Sequence, residues 1–391
     1  MLDTSSGLME SDITIVGAGP AGCASALALK NSGMRVLLLD KAEFPREKTC
    51  GDSVPAATML NLENIDPGIY DSFLQTVPFN AFRRSSLVFP SGKSLTVDWP
   101  LPGYLVYRHD FDAFLLGRVH ADTPCKVITG LKVTDYERFG NFFQISTRRA
   151  ESAGPKIICS RIIGADGAPS FAARRLAGRN PDPSLYGQAI RCYYEKVTGM
   201  DTGAAFVFVH PKFFPGYFWL FPMADGRVNA GFGMPEKWRN RKGKTLLDLF
   251  TRFTEEHPVV RKMLSGSRQV TPLKGGMVPF AMKWQPCSGP GFYLAGDAAS
   301  LVDPLSGDGI QFAVKSGILA GAQAGKDMNL SNWDHPGGES EYDDLIRRYI
   351  WNRMKSGRRL IPVLTAAPVL LKIAEACGSS AWFRNNIRKW I

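Results

Sequence analysis

The sequence predicts an α/β chain in which a parallel-sheet domain carries an antiparallel-sheet domain and ends in a helical segment. Three observations predict it. A β-branched run, Asp12–Val16, leads through a glycine-rich turn into an Ala/Leu-rich stretch and then a fully apolar run, Arg35–Leu39. That order is a β-α-β unit, and fully apolar strands belong in sheets buried on both faces. Between Gly187 and Met234 apolar and polar residues alternate, aromatics are dense, and Pro and Gly break the pattern. This is the signature of short antiparallel strands with one wet face. Beyond Glu339 the chain reads as helical and is strongly basic.

Taken in order, the first strand opens into Gly17-Ala-Gly-Pro-Ala-Gly22 and a helix to Lys30, with Gly33 as its stop. Strands with turn signals such as Pro90-Ser-Gly92 are expected over Phe82–Tyr107, and a helix over Arg108–Ala121. Lys126–Arg148 reads as strand, turn and strand, and Lys156–Ile163 as a further strand. Leu246–Leu264 is a helical insert, Gly291–Leu294 a short strand and Ile310–Lys326 a small-residue helix. Gly337-Gly338 marks a linker, and Pro362 and Pro368 interrupt the tail. The expected division is a Rossmann-like nucleotide-binding domain from 10–80, 108–185 and 285–335, a substrate domain from 81–107 and 186–284, and a helical basic segment over 339–391.

Composition excludes several classes. With 391 residues, 45% apolar and 21% charged, the chain can bury two or three cores and is neither disordered nor fibrous. Its longest uncharged run, Ile13–Leu29, is cut by Gly-Ala-Gly-Pro and falls short of the ~20 apolar residues of a spanning helix. The polar, acidic N-terminus does not read as a signal peptide. Seven scattered cysteines without a C-x-x-C pair argue against a disulfide framework or zinc site and for a reducing, cytoplasmic setting. The five histidines are scattered too, so no metal is expected. The net charge of +11 is concentrated: Arg347–Ile391 holds ten basic residues against one acidic, Glu375.

Three motifs carry the chemistry. In the first, Gly17 allows the tight turn, Gly19 lets the backbone approach a pyrophosphate, and Gly22 lets helix and strand pack closely. The helix N-terminus then offers free N–H groups to an anion. Asp40, at the end of the second strand, is placed to accept hydrogen bonds from a ribose. In the second, the apolar strand Ile162-Ile-Gly-Ala ends in Asp166-Gly167 ahead of a helix. In the third, Phe292-Tyr-Leu-Ala-Gly296-Asp297 is followed by Asp303-Pro304-Leu-Ser-Gly307-Asp-Gly309-Ile310, so a carboxylate ends a strand and a glycine-rich loop opens a long helix. Such a loop can cradle a flat electron-rich ring or a phosphate.

In this order the three motifs resemble the glutathione-reductase-type FAD fold in its para-hydroxybenzoate-hydroxylase-like branch. The resemblance covers roughly residues 10–330. It implies that Gly17, Gly19, Pro20, Ala21, Gly22, Asp40 and Lys41 hold the ADP half of FAD, with Asp166 and Gly167 in the middle motif. Gly296 and Asp297 would face the ribityl–pyrophosphate part, with Pro304, Gly307, Gly309 and Ile310 near the ring. Arg108 matches the arginine that opens a helix against FAD in this branch. No second strand–G-x-G-x-x-G–helix unit follows, so the electron donor is either NAD(P)H docking transiently or a reduced electron-carrier protein.

Two further segments resemble the geranylgeranyl reductase family. Tyr217-Phe-Trp219-Leu-Phe221-Pro222 is similar to its Y-x-W-x-F-P signature, and Phe44-Pro-Arg46-Glu-Lys48-Thr-Cys50-Gly51 to its basic segment ending in Cys-Gly. Halogenases of this fold carry W-x-W-x-I-P, and hydroxylases carry Asn where this chain has Gln311. On a strand Tyr217, Trp219 and Phe221 share one face. They form either sheet core or the wall of an apolar tunnel. Ala205, Val207 and Val209, or their neighbours Phe206 and Phe208, would supply a second wall. The implied reaction is hydride transfer from reduced flavin to a carbon–carbon double bond of an isoprenoid or other lipophilic substrate. Cys50 is the proton relay or a polar partner of the flavin; the plain alternative is a small buried apolar residue. Arg46, with Gly51 beside Cys50, belongs to the cofactor-binding set; Arg46 and Lys48 serve FAD phosphates or a substrate diphosphate. The basic tail, with Arg358, Arg359 and Lys372 flanking Leu360–Leu371, is either a peripheral contact with an anionic membrane at its inner face or a helical cap. No nucleic-acid module accompanies the charge. The alternative readings are a flavin monooxygenase or halogenase-like enzyme, separated by oxygen consumption, and a non-enzymatic prenyl-binding protein, separated by absence of colour.

Overall fold

The computed structural model describes residues 7–150, 152–329, 341–366 and 375–376. Lys372, Arg384, Arg388, Lys389, Pro368 and the Gly337-Gly338 linker lie outside them.

The first sheet has a parallel core. Leu8–Val16 runs between Lys156–Gly164 and Val36–Leu39, with Phe292–Leu294 and Lys126–Ile128 outside them, all parallel. Register brings the strand ends level: Val16 lies opposite Leu39 and Gly164, and Gly164 opposite Leu294. All three sequence motifs therefore leave the sheet at one edge, where the carboxyl ends of parallel strands form a ligand crevice. An antiparallel extension, Lys132–Phe139 and Phe142–Arg149, joins beside Lys156–Gly164. The Lys126–Arg148 stretch thus holds three strands.

Two helices clamp the sheet. The opening helix, Pro20–Ala28, packs along the long helix, Ile310–Asn329, through small residues. A Cβ on Gly317 would sit 2.1 Å from the Ala21 carbonyl, and one on Gly321 2.5 Å from that of Ser25. The Ser25 hydroxyl donates to the Gly317 carbonyl at 2.9 Å, so the backbones touch.

The second sheet runs Arg268–Gln269, Tyr186–Glu195, Val228–Pro235, Tyr217–Pro222, Ala204–Phe208, Asn80–Val88, Ser94–Leu105, Ser53–Val54. One face packs under helices; the other faces the crevice. The wet face expected here does not hold for Val228–Pro235, where Val228–Met234 are all buried. Leu246–Leu264 is two helices, Leu246–Glu256 and Pro258–Leu264, because Pro258 lacks the N–H that would continue the first. His257 joins them, accepting from the Val260 N–H at 3.4 Å. Helices Ala56–Glu63 and Ile69–Thr76 are additional to those expected.

Phe253 is the centre of this layer. It is fully buried, stacks on Phe218 at 5.3 Å, and meets Phe213, Phe232 and His257. Phe253→Ala is expected to cost about 3–5 kcal/mol, read by denaturant unfolding. A loss under about 1 kcal/mol would mean that the layer collapses around the void.

Candidate active site

A single cavity of about 1950 Å³ runs from the glycine turn to the second sheet. Ligand pockets usually span roughly 300–1,000 Å³, so there is room for two ligands end to end.

At the first end the turn is forced by glycine. Gly17 has φ +106°, and a Cβ there would lie 2.3 Å from the Ala165 carbonyl oxygen. A Cβ on Gly22 would lie 1.8 Å from the Gly17 carbonyl oxygen. Asp40 ties the turn to the end of the second strand, accepting from the N–H groups of Ala18 and Ala42, both at 2.8 Å. A carboxylate has lone pairs beyond those two bonds, and Asp40 and Lys41 line the cavity. Gly19 caps the opening helix without a side-chain partner, and Pro20, Ala21 and Gly22 begin it. Open N–H groups at a helix start, in a cradle that only glycine permits, fit a pyrophosphate.

A strap, residues 44–51, crosses from this end to the second sheet. The Arg46 guanidinium lies 3.2 Å from Asp112 and would be 3.3 Å from a Cβ on Gly19. Lys48 pairs with Asp297 at 2.9 Å and stands by Gly167. Both cations are thus at the glycine-turn and Asp297 side of the cavity. Asp166 lines the crevice, but its carboxylate also caps the helix Phe171–Ala177, accepting from Ser170 and the N–H groups of Phe171 and Ala172. Gly296 has φ +62°, and Gly307 φ +73°. Gly307, Gly309 and Ile310 line the cavity between Asp297 and the aromatic wall, whereas Pro304, expected beside the ring, does not line it and turns toward Gly357.

That wall is Tyr217, Trp219 and Phe221, on alternate positions of one strand and all lining the cavity. The intervening Phe218 and Leu220 belong to the helix-covered core. Ala205 and Val207 line the cavity on the neighbouring strand, whereas Phe206 and Phe208 join that core and Val209 packs with Phe89 and Leu95. Trp219 lies over Gly231, whose Cβ would fall 2.0 Å from the ring. Tyr217 reaches the third motif, its hydroxyl donating to the Ser306 carbonyl at 3.4 Å. Gly51 has no space for a side chain without pressing on Phe221 at 3.2 Å.

Cys50 lines the same cavity, with the Arg108 guanidinium and the Asp52 backbone as its nearest electrostatic neighbours. Burial pushes its thiol up, against the pull of Arg108, so it carries its proton at neutral pH. Arg108 is buried and held in a fork by Asp112 at 2.8 and 2.7 Å.

Behind the wall lies a polar network that sequence reasoning missed. Trp219 donates to Asn229 at 2.9 Å; Asn229 donates to Asp52 at 2.7 Å and to the Cys50 carbonyl at 3.0 Å; Tyr193 donates to Asp52 at 2.5 Å. Asp52 is fully buried, and its second oxygen has no partner among the described residues. Burial raises its carboxyl to about 6 despite the two donors. An acid whose folded value is raised loses stability as pH climbs from the unfolded value of 3.8 through 6. His257 works in the opposite sense, because burial lowers it to about 4. The readout is therefore a difference between proteins: Asp52→Asn should gain about 2 kcal/mol over wild type on going from pH 4 to pH 8. A constant difference would show that Asp52 does not titrate in that window. Asp308 is the second missed acid, raised to about 7 by burial and by Asp303, with Gln311 donating to it. Neither acid has a local sequence signal, since burial of a loop carboxylate depends on strands far away in the chain.

Residues 10–184 match the FAD binding domain family. A menaquinone reductase of Mycolicibacterium smegmatis is 30% identical over 373 residues, covering 90% of this chain and 84% of that protein. Digeranylgeranylglycerophospholipid reductase 2 of Methanopyrus kandleri is 31% identical over 320 residues, covering 81% and 77%. The chain belongs to the geranylgeranyl reductase family of FAD-dependent oxidoreductases. The fold of this family member also matches a geranylgeranyl bacteriochlorophyll reductase-like protein from Thermoplasma acidophilum, with TM-score 0.76, 21% identity, and coverage of 98% of this chain and 100% of that one. Among the described residues of this flavoenzyme no helix is long and apolar enough to cross a membrane.

Proposed function

We propose that this flavoenzyme reduces carbon–carbon double bonds of an isoprenoid or similarly lipophilic substrate. The observation that carries the reading is the division of one cavity into two halves. Most of the charged lining, including Asp40, Arg46, Lys48, Asp166 and Asp297, stands along the parallel-sheet crevice. The arm beyond Cys50 is lined by Tyr217, Trp219 and Phe221 and, further along the same sheet, by Leu87, Leu95, Val97 and Trp99, with no charged residue among them. A flat, charged dinucleotide suits the first half, and an apolar chain the second. The two relatives above are named for lipids that carry isoprenoid chains, which supports the same class here.

Bound and reduced, FAD supplies a hydride to one carbon of the double bond. The first glycine turn, Asp40, Lys41 and Arg46 hold its ADP half, and the residues from Gly296 to Ile310 hold the remainder. Cys50 gives its proton to the other carbon. The Arg108 guanidinium and the Asp52 N–H stabilise the thiolate that remains, until solvent returns the proton. The aromatic arm orients the chain and keeps water away. Electrons come from NAD(P)H docking transiently or from a reduced carrier protein. The enzyme works in the cytoplasm, at the inner face of the membrane, with the basic tail against anionic lipid.

The test is anaerobic. Holoenzyme reduced with dithionite is mixed with a polyprenyl substrate, and the product is weighed. The expected result is flavin reoxidation with two mass units gained per double bond. Product containing oxygen, formed only in air, would overturn the reductase reading in favour of a monooxygenase.

A further inference from the structure

Beside the large cavity is a second, smaller recess of about 250 Å³. It shares Gln311 and Arg353 with the large cavity, so the two spaces adjoin. Lys315, Arg348 and Arg353 line it, together with Asn61, Gln311 and Tyr349. No carboxylate lines it, and none of the three cations forms an ion pair with a described residue. In the large cavity, by contrast, Arg46, Lys48 and Arg108 each face a carboxylate.

The placement is built by three helical elements. Gln311 and Lys315 are one turn apart on the long helix and share a face. Arg348 and Tyr349 end the helix Glu341–Tyr349, and Arg353 lies in the following turn, Trp351–Met354. Lys315 and Arg348 both stand over the Tyr349 ring, at 5.5 and 5.4 Å from its centre, which draws them to one side of the recess. Three like charges around one small space repel one another unless an anion lies between them. Arginine forks and an ammonium are the donors that recognise phosphate oxygens.

We propose that this recess binds the phosphate or diphosphate head of the substrate, whose apolar chain then enters the adjoining cavity. The inference rests on the reductase reading and adds to it that the substrate is anionic. It also moves the head group away from Arg46 and Lys48, which stand with the cofactor-side carboxylates Asp112 and Asp297.

The test reads binding to oxidised holoenzyme, without turnover. Wild type is expected to bind geranylgeranyl diphosphate roughly 30-fold tighter than geranylgeraniol. In the pair Arg348→Gln and Arg353→Gln that preference should fall to about threefold, with alcohol affinity, flavin content and melting temperature unchanged. A diprenylglyceryl phosphate is run in parallel; whichever anion shows the variant-sensitive preference identifies the head as a free diphosphate or a lipid phosphate. Equal affinities for anions and alcohol, or a preference that survives in the variants, would overturn the proposal. A ligand that binds in the expected way yet leaves the reduced flavin unoxidised would sink the reductase reading and leave the anion site intact.

Discussion

Gly22→Val is expected to give a colourless protein. Any Cβ at this position falls 1.8 Å from the Gly17 carbonyl oxygen, which is backbone and cannot rotate away. Relief requires the opening helix to move off the turn. That helix is also locked against the long helix, where Gly317 and Gly321 bring the backbones into contact. The strain therefore falls on the anion cradle itself. We expect loss of at least tenfold in FAD affinity and about 3 kcal/mol or more in stability, checked by visible absorbance after reconstitution and by thermal unfolding. Full flavin occupancy in this variant would show that the turn is not where the cofactor binds.

The second large effect is expected at Cys50. Cys50→Ala should lower the rate of double-bond reduction by about 10²–10³, with flavin content unchanged. A thiol in this position is protonated at neutral pH because burial raises it, while Arg108 limits the cost of leaving it ionised. A hydroxyl is a far weaker acid, so Cys50→Ser should be impaired to a similar degree while keeping the shape of the site. The measurement is single-turnover reoxidation of the reduced enzyme by substrate, with its solvent isotope effect. A Ser variant as fast as wild type would assign Cys50 a packing role and shift attention to Asp308, an acid on this cavity that burial raises to about 7.

What could be read from the sequence had local signals. The β-α-β unit, its glycines and Asp40 lie within one short stretch, and strand periodicity alone puts Tyr217, Trp219 and Phe221 on one face. The features that escaped are those made by distant parts of the chain. Asp52 becomes a buried acid only because Tyr193 and Asn229 arrive from two strands of the second sheet. Trp219 is seated by Gly231 across the neighbouring strand, and a lone glycine there reads as a turn or bulge. The short helices Ala56–Glu63 and Ile69–Thr76 lacked strong caps: neither has a side-chain cap bond at its start. The break at His257-Pro258 was legible in Pro258 itself, but the flanking residues were helical enough to mask it.

The contact between Tyr217 and the loop at Ser306 and Gly307 bears on how the enzyme can diversify. A Cβ on Gly307 would strike the tyrosine hydroxyl at 2.2 Å, so one side of the tunnel is braced on the same loop that borders the flavin site. Changes on that side disturb both partners at once. Leu87, Leu95 and Val97 lie further along the same sheet, where Leu87 and Leu95 pack in one cluster with Tyr217, and can be enlarged or trimmed without touching the brace itself. Selection for a longer or bulkier cargo should accumulate there, and a library aimed at new cargo would do best to vary those three positions and leave the signature tyrosine alone.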